Sequence, residues 1–293
     1  VNPTVGQTVY DGAVGSGGFL IQAYDYMRKG DLSTSEQQFL KRDTFFGNEK
    51  TPLGYVMGVM NMILHGIDSP NVYKQNTLTE NIRDIQEKER HNVILANPPF
   101  GGKEKSQVQQ NFPIQSGATE ILFMQHFMKM LKLDGKAAIV VPEGVLFQGN
   151  NAFKQVKQEL LENFNVHTIL SLPGGVFLPY SGVKTNIIYF DRKGATSDIW
   201  YYELVPPYKL TKNKPIQFDH FKEFLELYES KKETDNSWIV KVEDIKDYDI
   251  SAKNPNKAQE EDLLPPKEIL QAIRTNDKQL GELINHIESL LNE

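Results

Sequence analysis

From Thr8 to Phe190 the chain alternates between short β-rich apolar runs and longer stretches whose apolar residues recur at helical spacing. Thr8-Val9-Tyr10 opens the series as a strand, followed by a glycine turn and a helix over 17–28. Thr44-Phe45-Phe46 forms a second strand that ends at Gly47-Asn48-Glu49. The next helix has Pro52 in its first turn and Val56, Met57, Met60 and Leu64 at helical spacing. A short third strand falls around Val72-Tyr73, and a fourth over 91–96 runs into Asn97-Pro98-Pro99-Phe100. Helices over 120–131 and 151–163 and strands over 136–141, 166–172 and 184–190 complete the pattern. Two polar stretches interrupt it. Residues 29–42 read as an inserted loop, and 101–119 as a loop of a length that is usually functional or disordered. Strands alternating with helices predict an α/β fold with a mostly parallel, doubly wound sheet. In such sheets ligands sit outside the carboxyl ends of the strands.

Past Phe190 the pattern changes. Pro206-Pro207, Pro215, Asn254-Pro255 and Pro265-Pro266 punctuate a more acidic region that holds one helix over 221–231, and 266–291 reads as a single long helix. Along that helix Ile269, Ile273, Asn276, Leu280, Leu283, Ile287 and Leu290 alternate at steps of four and three, the spacing of a coiled-coil seam with one polar position. At 1.5 Å per residue it would be roughly 39 Å long. The expected organisation is therefore a domain over 1–193, an acidic extension over 194–262 and a helix over 263–293.

Composition narrows the chemistry. Hydrophobic residues make up 39% of the 293 residues and charged residues 24%, enough for a real core. The formal charge is −6, with the final third the most acidic. A nucleic-acid substrate would then need much of its phosphate grip from another chain. Cysteine is absent, which removes disulfides, thiolate metal sites and cysteine nucleophiles, and suits a reducing, cytoplasmic setting. The six histidines are scattered without metal-binding spacing, so no metal site is expected. No apolar run approaches the roughly 18–20 residues of a membrane span. The chain opens on Val1, straight into a strand-like segment, and is expected to continue upstream.

Two constellations carry chemistry. Asp11-Gly12-Ala13-Val14-Gly15-Ser16-Gly17-Gly18-Phe19-Leu20 follows a strand and opens a helix. Its glycines permit close approach of a ligand to the backbone, and the helix N-terminus offers free N–H groups. Leu20 stands where a Rossmann fingerprint needs glycine, and no P-loop Lys follows. An Asp at the strand end suits a positive amino group better than a phosphate. Glu49, just past the second strand, is placed to accept from both hydroxyls of a ribose. Taken alone, the loop reads equally well as a simple turn, and Glu49 reads better as an ordinary solvated acid. Asn97-Pro98-Pro99-Phe100 is the sharper signal. Its stiff turn can aim one amide oxygen and one backbone carbonyl at the same point beside an aromatic ring. That combination suits an exocyclic amine on a planar ring.

With both motifs in one chain, the sequence resembles S-adenosyl-L-methionine-dependent amino methyltransferases, whose motifs read D-P-A-C-G-S-G-G-F-L and N-P-P-F/Y. Further matches are Asn61–Gly66, Asn76-Thr77-Leu78, Phe123-Met124-Gln125-His126, Val141–Phe147, Leu172-Pro173, Gly182–Asn186 and Ser251–Pro255. Together they make it similar to the modification (M) subunit of type I restriction–modification systems, over almost the whole chain. The resemblance implies N6-adenine methylation of DNA, with S-adenosyl-L-methionine as cofactor and a specificity (S) and a restriction (R) subunit as partners. It implies Asp11, Gly15, Ser16, Gly17, Phe19, Glu49 and Asn76 as cofactor contacts and Asn97, Pro98, Pro99 and Phe100 as the catalytic turn. Phe19 reads better as a core residue under the helix, and Asn76 reads nearly as well as a turn Asn. The segments become a methyltransferase domain, an extension and a subunit-association helix.

The sequence departs from the family at Gly12, where Pro is usual and glycine would loosen the loop, and at Val14, a small apolar substitute for Cys. An aromatic-Thr-Pro-Arg motif and a helical domain, which the family places ahead of the Asp loop, are expected upstream. Two competing readings stay open: a protein-glutamine or RNA amino methyltransferase, which shares the N-P-P-aromatic turn, and a truncated, non-catalytic assembly module.

Overall fold

The computed structural model describes residues 1–257 and, beyond them, Leu270, Ile273, Arg274, Leu280 and Gly281. Residues 1–254 form one unit and 255–293 another. The heptad seam expected over 266–291 therefore lies almost wholly outside the described residues.

Nine strands form one sheet in the order β3-β2-β1-β4-β5-β7-β6-β8-β9. They are β1 (Val9–Asp11), β2 (Phe45–Glu49), β3 (Asn71–Lys74), β4 (His91–Ala96), β5 (Leu131–Pro142), β6 (Asn165–Ser171), β7 (Thr185–Asp191), β8 (Asp198–Glu203) and β9 (Ser237–Lys241). The pairs β1–β2, β2–β3, β1–β4, β4–β5 and β6–β8 are parallel, whereas β7 runs antiparallel to both neighbours and β9 antiparallel to β8. Strand order reverses between β1 and β4, the switch point where parallel sheets open a crevice.

Among the described residues of 1–257, eight helices cover the sheet or its loops: α1 (Gly18–Met27), α2 (Thr34–Arg42), α3 (Pro52–Leu64), α4 (Ser106–Gln109), α5 (Thr119–Met130), α6 (Gly144–Phe147), α7 (Asn151–Asn163) and α8 (Lys222–Leu227). Side chains of a strand alternate between faces, and here the alternation sorts the core. Val9 and Val93 join Leu20, Ile21 and Met62 of α1 and α3, whereas Tyr10 and Ile94 join Phe127 and Leu160 of α5 and α7 on the other face. Both faces being covered explains why β4 reads as a continuous apolar run.

Five differences from the sequence reading have local causes. The stretch 29–42 contains α2, started by a capping box in which Ser33 and Glu36 each accept the other's backbone N–H. The loop 101–119 is closed: Lys103 pairs with Ala118, and Phe112 is buried in the α5-side core. The sheet does not end near 193, because β8 and β9 extend it, and Trp200 and Tyr201 are buried on opposite faces. The helix expected over 221–231 is shorter, with a 3-10 turn at Phe218–Phe221 before α8 and Lys231 at φ 51° after it. In α3 the predicted stripe Val56, Met57, Met60 and Leu64 is exposed, because Gly58 and Met62 form the buried face.

Candidate active site at the carboxyl ends of β1 and β4

Asp11 ends β1 and Asn97 follows β4, its parallel neighbour, so the two motifs stand on adjacent strands roughly 4.8 Å apart. The loop after β1 is tight rather than open. Gly15 and Gly17 take positive φ values of 54° and 79°, which a side chain would resist. A Cβ on Gly58 of α3 would lie 2.6 Å from the Gly15 carbonyl, so two glycines let helix and loop touch. Val14 is buried against Gly47 and Gly58 and fills the Cys position of the motif without a gap. The expected looseness at Gly12 is not found. Its carbonyl accepts a hydrogen bond from Thr77 Oγ1, and the Phe127 ring sits where a Cβ would go, 2.8 Å from it.

Asp11 is 1% exposed, and its Oδ1 accepts the Ala13 N–H at 2.8 Å. Burial pushes its carboxyl up to about 7; the Ala13 hydrogen bond opposes the rise and Glu49 adds to it. No side-chain cation is paired with it among the described residues. Glu49 Oε2 accepts the Gly15 N–H at 2.9 Å, while Oε1 accepts the Thr51 N–H and hydroxyl at 2.8 and 2.7 Å. Burial raises the Glu49 carboxyl, but the hydrogen bonds from Thr51, Gly15 and Lys50 outweigh it and hold it below the usual range. Glu49 thus ties the loop to Thr51, the N-cap of α3. Ser16 is exposed, and its carbonyl accepts Asn61 Nδ2 at 2.8 Å. Phe19 is 38% exposed at the first turn of α1, which corrects the core alternative. Asn76 caps a 3-10 turn by accepting the Leu78 N–H, so its turn role is real.

On the other side of the crevice, Asn97 Oδ1 is buried without a hydrogen-bond partner. Pro98 is buried, Pro99 exposed and Phe100 half-buried. The turn is held by α5: the Gly101 N–H donates to Glu120, and Thr119 Oγ1 lies 3.5 Å from the Pro99 carbonyl. Phe100 meets Phe177 edge to face, with ring centroids 5.8 Å apart. Sequence reasoning passed over Thr119, Glu120 and Phe177. A Thr-Glu pair at a helix start and a Phe in a Gly- and Pro-rich loop carry no pattern of their own. It also passed over a chain of hydrogen bonds that runs from exposed Gln75 into the core beneath the site. Gln75 Nε2 donates to Asn48 Oδ1 at 2.9 Å, Asn48 Nδ2 donates to the Tyr10 hydroxyl at 3.1 Å, and that hydroxyl lies 2.9 Å from His126 Nε2 of α5.

A crevice at the switch point, with a glycine loop on one lip and an orphaned amide on the other, is the arrangement of a class I methyltransferase fold. The same fold is found in a chain described as a class I S-adenosylmethionine-dependent methyltransferase from Listeria monocytogenes, at 15% identity and a TM-score of 0.53 over 77% of this chain and 64% of that one. The chain belongs to the N-6 DNA methylase family, whose model matches residues 1–263.

Its relatives include the type I restriction enzyme EcoEI methylase subunit of Escherichia coli, 34% identical over 99% of this chain and 62% of that subunit. The EcoKI methylase subunit of Escherichia coli strain K12 is 29% identical over 88% of this chain and 53% of its own length. Among solved structures, a chain from a study of complex assembly in a type I R-M system is 44% identical with a TM-score of 0.84, covering 99% of this chain and 63% of that one. This chain therefore spans between half and two thirds of the length of these relatives.

Proposed function

We propose that the protein transfers a methyl group from S-adenosyl-L-methionine to the N6 amino group of adenine in DNA, as the modification subunit of a type I restriction–modification complex in the cytoplasm. The observation that carries this reading is Asn97. Its buried Oδ1 has no donor, next to a cofactor-type loop. Leaving such an acceptor unsatisfied costs about 1–3 kcal/mol, and an exocyclic amine supplies the missing N–H.

The residues present fit the cofactor. Asp11, buried and without a cation, suits an α-ammonium group. Gly15, Ser16 and Gly17 keep the loop close to a ligand, Glu49 at the end of β2 is the acceptor for ribose hydroxyls, and Phe19 and Asn76 edge the adenine side. When bound, S-adenosyl-L-methionine supplies the activated methyl group.

The rest falls to the chain. Asn97 Oδ1 and the Pro98 carbonyl accept the two hydrogens of the target amine, drawing its nitrogen toward tetrahedral geometry and localising its lone pair. Pro99 stiffens the turn, and Phe100 stacks on a base flipped out of the duplex. Positioning and fixed dipoles supply most of the rate. The absence of cysteine excludes the covalent route of C5-cytosine methylation.

The names of the relatives support the complex: DNA as substrate, a specificity subunit docked through the helix over 263–293 and a restriction subunit in the full assembly. Within it, the unit over 1–254, whose single sheet includes β8 and β9, serves as the catalytic segment. The test is Asn97→Ala. Methyl transfer should fall by at least a hundredfold while calorimetric affinity for S-adenosyl-L-methionine stays within twofold. Equal loss of both would remove Asn97 from the catalytic role.

A further inference from the structure

The strands that carry the proposed cofactor contacts are short. β1 has three residues and β3 four, and on its β4 side β1 is paired only through Val9 and Tyr10. A ladder this short fixes the relative heights of the strand ends weakly. Those heights matter, because Asp11, Glu49 and Asn76 close β1, β2 and the turn after β3.

A side-chain ladder does what the backbone ladder does not. Tyr10, Asn48 and Gln75 each stand one residue before Asp11, Glu49 and Asn76. They are joined in sequence by hydrogen bonds of 2.9 and 3.1 Å. Alternating residues point to opposite faces, so tying Tyr10 and Asn48 on the α5 face sets the position of the acid that follows each. The ladder ends on His126, whose Nε2 lies 2.9 Å from the Tyr10 hydroxyl. His126 is fully buried, and burial pushes its imidazole down to about 3, so the ring stays neutral. His91 of β4 stacks on Tyr10, with centroids 5.0 Å apart and rings 4° from parallel.

The far end of the same helix serves the other lip of the crevice. Glu120 accepts the Gly101 N–H, and Thr119 reaches toward the Pro99 carbonyl. Helix α5 thus holds the turn after β4 with its first residues and the end of β1 two turns later.

We infer that His126 is a positioning residue for the cofactor pocket: through Tyr10, Asn48 and Gln75 it sets the heights of Asp11, Glu49 and Asn76, and α5 braces that pocket against the Asn97 turn. This inference rests on the methyltransferase reading. It assigns His126 no contact with cofactor or substrate.

The experiment is calorimetry of S-adenosyl-L-methionine binding to the full 293-residue chain, well below its melting temperature. Tyr10→Phe and His126→Leu should each weaken binding roughly tenfold, about one hydrogen bond's worth. The double variant should be no weaker than Tyr10→Phe alone, because that variant already removes the His126 bond. His126→Gln, which can still reach the Tyr10 hydroxyl, should recover affinity to within about threefold of wild type. A lowered melting temperature with affinity unchanged within twofold would make the ladder merely structural and overturn the inference, as would losses that add in the double variant. Failure of the wild-type chain to bind at all would overturn the methyltransferase reading and this inference with it. Binding that ignores Tyr10 and His126 would overturn the inference alone.

Discussion

Gly12 shows how one substitution is absorbed by another. A Cβ there would lie 2.8 Å from Phe127 Cε1 and 3.3 Å from the Tyr10 hydroxyl, so the proline usual in the resembling motif does not fit against this α5. Gly12→Pro should destabilise the chain by about 1–3 kcal/mol, the range for overpacking a filled core. Adding Phe127→Leu should recover part of that loss in denaturant melts; a single variant as stable as wild type would contradict the packing argument. Asp11 carries a second consequence. Its folded-state pKa is raised from 3.8 to about 7 by burial. Its contribution to stability is therefore fully present below pH 3.8 and is lost as pH rises through about 7, a cost approaching roughly 4 kcal/mol for the ligand-free chain. A bound ammonium group offsets that cost by favouring the carboxylate. Affinity for S-adenosyl-L-methionine should then rise as pH goes from about 6 to 8, with proton release on binding, and Asp11→Asn should flatten the profile. An equally steep profile in Asp11→Asn would move the titrating group elsewhere.

Elements were legible where one physical signal dominated. Strand β4 and helix α7 match the sequence reading residue for residue, one as an apolar run and the other as an amphipathic repeat behind an Asn cap. Helix α2 was hidden because its surface is mostly polar, although Ser33-Thr34-Ser35-Glu36 spelled its capping box. Strands β8 and β9 were obscured by the acidic, proline-punctuated segment between them, although Ile199–Tyr202 and Trp238–Val240 have strand composition. At the site, Asp11, Glu49 and Asn97 were readable because their chemistry needs those residue types at strand ends. Glu120 and the Tyr10–His126 ladder were not, since their partners lie far away in sequence and only folding brings them together. Glu120 gives α5 its own test. Glu120→Ala frees the Gly101 N–H and loosens the turn that aims Asn97. Transfer should fall about ten- to a hundredfold with cofactor affinity within twofold of wild type, and a fall in affinity matching the fall in rate would show the turn and the pocket to be one unit.

At the scale of the whole molecule, charge decides how the proposed DNA substrate would be held. The chain carries a formal −6. Two lysines near the crevice are paired with neighbouring acids, Lys50 with Glu104 at 3.1 Å and Lys184 with Glu143 at 3.0 Å. Duplex binding draws its affinity and its salt dependence from phosphates neutralised by free cations, with a slope near 0.9 per contact in log affinity against log salt. A chain with net negative charge has little of either. Alone, it should bind duplex DNA only weakly at about 0.15 M salt, with a slope corresponding to one or two phosphates, while still binding S-adenosyl-L-methionine. With a specificity subunit docked, affinity should rise by orders of magnitude and the slope should steepen. Because 266–291 carries the apolar seam proposed to dock that subunit, a chain lacking 266–293 should keep its cofactor affinity and melting temperature yet gain nothing from the added subunit. Fluorescence anisotropy on a labelled duplex across a salt series reads both quantities. Tight, steeply salt-dependent binding by the isolated chain would show that it carries its own phosphate grip. A full partner effect in the shortened chain would place the docking surface within 1–265.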